Sequence, residues 1–194
     1  MKLLIRVIIA SLILGITSWV IIQLPSVQDR LIVVAFTALG SASNNLPKED
    51  ALSAAVCGPR SPIPSPGRAE TCILISAGED LFVVDIGDGS NDNLRSWNIN
   101  FRNIEAVLIT HLHSDHIADL PGLHQNAWVI GERSSKLKVF GPEGIDQFTQ
   151  GIEMAYAHDY VFRNEHHGNA IAPLEFAGFD TSVINLNNPV IFNN

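Results

Sequence analysis

Apolar positions along the chain fall into two regimes. The first is one nearly unbroken block. After the short basic start Met1-Lys2-Leu3-Leu4-Ile5-Arg6, residues 7–24 are apolar apart from Ser11, Gly15, Thr17, Ser18 and Gln23. No polar face interrupts the block, so it does not read as a buried amphipathic helix. Its length reaches the lower limit of about 17 residues for a bilayer-spanning helix, whereas the core of a cleaved signal runs roughly 7–15. Lys2 and Arg6 would stay on the cytoplasmic side and leave the rest of the chain outside. The pattern predicts a signal anchor or signal peptide over residues 1–30, with the membrane contacted through residues 7–24. Small residues suited to cleavage, Ser41-Ala42-Ser43, stand far from that core, which favours an uncleaved anchor. A second apolar patch (31–39) and a polar stretch with Pro47 make residues 31–50 a membrane-proximal segment and linker. The expected location is exported, periplasmic or otherwise extracytoplasmic.

The second regime, residues 51–194, shows short alternating or continuous apolar runs separated by turn residues. Residues 51–57 read as a first strand. Pro59, Pro62, Pro64 and Pro66 then forbid a helix or a central strand. Residues 71–76 and 81–86, joined by Ala77-Gly-Glu-Asp80, predict a hairpin that ends near Asp85, with Gly87-Asp88-Gly89 just beyond. Residues 106–110 form a continuous apolar run, as in a strand buried on both faces. Asp119 before Leu120-Pro121 reads as a helix N-cap, and Trp128 beyond it as core, with a pocket-lining role as the alternative. Ile145, Phe148, Ile152 and Tyr156 recur at helical spacing within residues 144–164. Strands followed by helices place the domain in the α/β class.

Size and charge narrow the picture. The chain has 194 residues, enough for one domain with a real core. Twenty acidic residues against twelve basic ones give a formal charge of −8. That balance lacks the basic excess of a nucleic-acid footprint, so nucleic acid is unlikely as a partner on this reading. The two cysteines, Cys57 and Cys72, bracket the proline loop. In an exported domain they would close it as a disulfide; in a cytosolic one they would be buried thiols.

The chemistry concentrates after the run at 106–110, in His111-Leu112-His113-Ser114-Asp115-His116. In extended backbone, residues i and i+2 point to one side, so His111 and His113 can serve one ion together. Asp115 and His116 are adjacent, and a tight turn would aim them at a second ion beside the first. Imidazoles with a carboxylate and no thiolate suit zinc, with iron or manganese also compatible. Ungripped imidazoles and a carboxylate at the end of a buried strand would be costly to desolvate. Arg60 and Arg68 in the proline loop read as solvated surface charge, with an anionic substrate as the alternative.

The H-x-H-x-D-H motif at His111, His113, Asp115 and His116 resembles that of the metallo-β-lactamase superfamily. Lys138-Val-Phe-Gly-Pro-Glu-Gly144, the loop at Ser61 to Arg68 and Trp128 resemble its ribonuclease Z and arylsulfatase-like branch. The likeness covers residues 54–168. It implies the αβ/βα sandwich fold with only the first half present, and two zinc ions in a complete site. It further implies hydrolysis of a small-molecule ester, such as a sulfate or phosphate ester, with ribonuclease Z-like phosphodiester cleavage or a non-catalytic remnant as alternatives. Under it Asp115 helps hold an ion and orients the nucleophile, and Asp85 braces the metal loop from outside the ligand set. Gly58-Pro59-Arg60 departs from the branch's Gly-Thr-Gly. The family's downstream ligands have no clear match, since His158 and the pair His166-His167 read as helix residues. The chain is therefore expected to be incomplete at its C-terminus, to bind metal weakly and to be poorly soluble where a second half would pack.

Overall fold

A computed structural model of the chain describes residues 2–28, 30, 31, 34, 51–185 and 187. Most of the expected membrane-proximal segment and linker at 31–50, including the small residues at 41–43, and the chain end at 188–194 lie outside the described residues. The first element, α1 (Lys2–Ile22), follows the apolar block. Its window Ile5–Ile22 has a mean hydropathy of 2.3 and none of it is buried against protein. Thr17 Oγ1 donates back to the Ile13 carbonyl at 2.7 Å, which satisfies that hydroxyl inside the helix. Length and composition suit a bilayer, and a signal sequence shares the same pattern.

The remaining elements build one six-stranded sheet in sequential order: β1 (Leu52–Gly58), β2 (Cys72–Ala77), β3 (Asp80–Val84), β4 (Ile104–Leu108), β5 (Leu137–Gly141) and β6 (Phe179–Val183). The first three strands run antiparallel, and β3 through β6 are mutually parallel. Leu74, Leu81, Val83, Val107, Leu137 and Val139 alternate onto the core face, none more than 1% exposed. Ile73, beside Leu74 on β2, and Val56, beside the buried Cys57 on β1, are exposed on the other face. Helices fill the crossovers: α2 (Ser90–Ser96), α3 (Ser114–Ile117), α4 (Leu120–Gln125) running into a π-helical turn (Asn126–Ile130), and α5 (Ile145–His167). The parallel order carries the loops after β3, β4 and β5 to one edge, where open α/β sheets bind ligands.

The hairpin forms around the predicted turn, closed by the Ala77–Asp80 pair. β3 stops at Val84, short of Ile86, because Asp85 takes a left-handed backbone (φ 56) and turns the chain. β4 begins at Ile104 and ends at Leu108 rather than Thr110. Beyond it, the Ile109 amide still donates to the Phe140 carbonyl at 2.7 Å. On α5 the predicted stripe faces the core, with Ile145 and Ile152 buried and Phe148 and Tyr156 packed against it. The helix outlasts residue 164 and ends at Gly168, whose φ of 76 suits a residue without a Cβ.

Cys57 and Cys72 are joined as a disulfide, with Cα atoms 4.9 Å apart and both residues fully buried. Closing a loop of this size stabilises by about 3 kcal/mol in the chain-entropy model. The same junction needs glycine at position 58, where a Cβ would fall 1.4 Å from the Glu70 carbonyl oxygen.

Candidate metal centre

Backbone hydrogen bonds lock the loops after β3 and β4 together before any side chain is considered. The Asp85 amide donates to Leu108 O at 3.0 Å, Ile86 N to His116 O at 2.8 Å, and Asp119 N to Ile86 O at 3.0 Å. Gly87 permits the approach: a Cβ there would lie 2.1 Å from Asp115 O and 2.5 Å from the Glu70 Cβ. The positions of Asp85 and of residues 111–116 are thus fixed relative to each other by main chain.

Asp85, only 3% exposed, collects three donors. Its Oδ1 accepts from Thr110 N at 2.8 Å; its Oδ2 accepts from Thr110 Oγ1 at 2.8 Å and from His116 Nδ1 at 2.8 Å. With Nδ1 so engaged, His116 turns Nε2 toward Asp115 Oδ2, 3.5 Å away. Asp115 itself is buried. His113 has extended backbone (φ −71, ψ 148) as the spacing requires. Its Nδ1 stands 3.0 Å from His111 Nε2. The His111 and His116 rings lie 3.9 Å apart between centroids, so both pairs belong to one cluster.

Among the described residues no three His, Cys, Asp or Glu side chains form a ready-made group around one ion. The donors come instead as two pairs. Two nitrogens on one tetrahedral zinc, each about 2.05 Å away, would be about 3.3 Å apart. The His111–His113 separation of 3.0 Å is close to that. An imidazole whose far nitrogen is held by a carboxylate, as His116 is by Asp85, is the usual outer support of a metal ligand. Each pair fits two positions around a divalent ion, and further ligands must come from elsewhere.

His158, His166 and His167 lie along α5 instead. His158 is exposed and stacks on Phe162 with centroids 6.2 Å apart. His166 and His167 occupy the last turn of the helix. At 1.5 Å per residue they lie about 33 Å along the axis from its start, and His158 about 20 Å. Burial and the neighbouring His166 and Arg163 lower the His167 pKa. Arg60 is not free for an anion: its Nη2 pairs with Glu70 Oε1 at 3.2 Å and Asp88 Oδ2 at 3.7 Å. Asp119 stands at the N-cap of α4, but its carboxylate serves a different helix, accepting from Asn91 N at 3.0 Å in the first turn of α2. Burial, with Asp88 and Asp92 nearby, raises its pKa against the pull of the Asn91 and Gly89 amides. Trp128 is fully buried, with Nε1 donating to Pro173 O at 3.0 Å.

Two residues escaped the sequence reading. His124 is fully buried, and Thr110, at the end of the apolar run, gives no sign in the sequence of its bond to Asp85. Leu120, Leu123, Ala127 and Trp128 surround His124 at helical spacing and could have marked it as a core imidazole. Beside the motif, a cavity of about 470 Å³ opens between Val84, Leu108, Ile109, Thr110, Pro142, Glu143 and Ile184.

The family model for the metallo-beta-lactamase superfamily matches residues 65–181, which contain Asp85 and the whole H-x-H-x-D-H motif. The chain belongs to this superfamily. It is 35% identical over 124 residues to a ribonuclease Z of Mycobacterium bovis, covering 63% of this chain and 44% of that protein. It is 36% identical over 118 residues to a ribonuclease Z of Mycobacterium marinum, covering 60% and 42%. The chain thus spans less than half the length of the curated relatives it matches. Among solved structures, a metallo-beta-lactamase fold protein of Bacillus subtilis, YhfI, superposes with a TM-score of 0.53 at 20% identity over 73% of this chain and 49% of that one. Human tRNase Z, short form, superposes with a TM-score of 0.50 at 23% identity over 69% and 46%. These superpositions establish the metallo-β-lactamase fold. The relatives overturn the expectation that nucleic acid is unlikely as a partner, because their names are those of RNA-cutting enzymes. Formal charge summed over a whole chain misled here, since it says nothing about how charge is arranged around one site.

Proposed function

We propose that this chain carries the metal-binding part of a hydrolase that cleaves phosphodiester bonds in RNA, of the ribonuclease Z type. The observation that supports it most is the 35% identity to ribonuclease Z over 124 residues. In this reading His111 and His113 would hold one divalent ion, and Asp115 and His116 a second. Zinc, when bound, makes water acidic enough to ionise near neutral pH and offsets negative charge at phosphorus. Asp115 accepts a hydrogen bond from the attacking water and orients it. Asp85 holds the His116 ring by Nδ1 and leaves Nε2 turned toward Asp115, where it would be available to an ion. The main-chain locks between residues 85–87 and 108–119 hold this arrangement without reorganisation during the reaction.

The domain over residues 51–194 would lie on the extracytoplasmic side, tethered through α1. The apolar window Ile5–Ile22 and the buried Cys57–Cys72 disulfide favour that location. The test is a three-substrate assay of the full chain with zinc: a tRNA precursor, a bis-aryl phosphate and an aryl sulfate. Slow cleavage of the precursor and the diester, abolished by His113→Ala, is expected. Hydrolysis of the sulfate alone replaces this reading with the small-ester one. Absence of all three activities removes the hydrolase reading for this chain.

A further inference from the structure

We propose that Thr110 is a positioning residue that sets the proton on His111. Asp85 is the starting point. An ionised carboxylate has only acceptors, and Oδ2 of Asp85 stands 2.8 Å from Thr110 Oγ1. A hydroxyl has one proton. If Thr110 pointed it elsewhere, two oxygen lone pairs would face each other at that distance. The proton of Thr110 is therefore committed to Asp85.

His111 Nδ1 lies 3.1 Å from the same hydroxyl oxygen. With the hydroxyl proton already committed, Nδ1 can meet that oxygen only as a donor. A neutral imidazole carries one proton, so a proton on Nδ1 leaves Nε2 with a bare lone pair. Nε2 is the atom that faces His113 Nδ1 at 3.0 Å. One carboxylate thus fixes two rings: His116 directly through its Nδ1, and His111 through the hydroxyl of Thr110. In both, the proton is held away from the cluster and the lone pair is turned into it.

Geometry makes Thr110 suited to the task. Its own amide donates to Asp85 Oδ1 at 2.8 Å, so the residue is anchored at two points on one carboxylate. Its β-branch limits χ1 to few rotamers and keeps the hydroxyl aimed. Valine would match the shape and delete the relay; serine would keep the relay and drop the methyl.

Two measurements on the full chain in detergent micelles separate the possibilities. The first is metal-free: ring ¹⁵N spectra of histidine-labelled protein at one fixed alkaline pH. In the wild type and Thr110→Ser, His111 is expected as the Nδ1–H form; in Thr110→Val it is expected to shift toward Nε2–H, the commoner form of free histidine. The second is zinc competition, in which Thr110→Val is expected to weaken binding about 10–100-fold, as loss of an outer partner does, while Thr110→Ser stays close to wild type. An Nε2–H His111 in the wild type overturns the proposal. So does a Val variant with unchanged tautomer, or a Ser variant that fails alongside Val, which would assign the effect to methyl packing. If the Val variant does not fold, the wild-type and Ser spectra still decide. Only the affinity arm rests on the metal-holding reading. Wild-type protein with the expected tautomer and no zinc binding would refute that reading and leave the Thr110 relay standing.

Discussion

Two regions of this molecule hold histidine in opposite ways. After β4, three imidazoles crowd at the sheet's edge, and each meets a polar partner: Thr110 and His113 for His111, Asp85 and Asp115 for His116. In α4, His124 is buried among aromatic rings, with Trp128 stacked at 6.2 Å between centroids, Tyr160 edge-on at 5.5 Å and Phe179 at 4.6 Å. Its Nε2 accepts from Gly178 N at 3.1 Å. Desolvation, aided by the charges of Arg133 and Lys136, pushes its pKa down to about 3. The first region has lone pairs gathered and oriented; the second has one neutral ring used as packing that ties α4 to the turn before β6. Residue type does not separate them. What the nitrogens face does.

The largest effect that would test this division lies in the aromatic region. Trp128 is fully buried against Tyr160, their centroids 5.4 Å apart. Trp128→Ala should cost about 3–5 kcal/mol of stability, read by denaturant unfolding, while the folded fraction keeps wild-type zinc affinity. A loss of zinc affinity in folded protein would show that the two regions are one functional unit.

Next comes Asp85→Asn. Asparagine tolerates the left-handed backbone at this position (φ 56), so the change isolates the loss of a second accepting oxygen. His116 and Thr110 then compete for what remains. Zinc affinity should fall about 10–100-fold, by competition with a chelating dye. The stability midpoint of metal-free protein should move far less than for Trp128→Ala. Unchanged zinc affinity would remove Asp85 from the site.

The third effect is a slope. Below pH 6.5 the unfolded chain protonates His124 while the folded chain, with the ring held near 3, does not. Stability is therefore full above 6.5 and falls as pH drops toward 3, by about 1.4 kcal/mol per unit from this group alone. His124→Gln keeps an acceptor for Gly178 N and removes the titration. Unfolding measured between pH 6 and 4 should lose about that much slope. An unaltered slope would mean that this ring titrates as it does in water and is not the sealed core group its contacts describe.

The sequence made the site's ligand pairs legible because their spacing is local: i and i+2 in extended chain put His111 and His113 side by side, and Asp85 stood at the end of a readable hairpin. The β2–β3 hairpin and the apolar stripe of α5 were legible for the same reason. What escaped depends on distant partners. The Asp119 carboxylate looked like a cap for its own helix and caps α2, 28 positions away in the chain. The Arg60 guanidinium looked solvated and is tied to Glu70 and Asp88. The strands β5 and β6 each join the sheet by parallel pairing across a crossover helix, which leaves no local signature beyond a short apolar run. The expectation against nucleic acid rested on a sum over the whole chain, which says nothing about how charge is arranged around one site.

The smallest expected effect is the control that makes the others interpretable. His158 belongs to neither class: it is exposed on α5, its ring lies against Phe162, and among the described residues no carboxylate or hydroxyl hydrogen-bonds it. By length of helix it stands about 20 Å from the end of α5 that adjoins β5. His158→Ala should therefore change stability by less than about 0.5 kcal/mol and leave zinc affinity and the acid slope as they are. Alanine also raises helix propensity slightly, so the stability change should be small and of favourable sign if the Phe162 contact is worth little in water. A tenfold loss of zinc affinity in this variant would mean that an imidazole with no oriented partner reaches the site through a rearrangement of α5. The rule that partners, not residue type, assign the histidines would then fail at the residue where it makes its plainest claim.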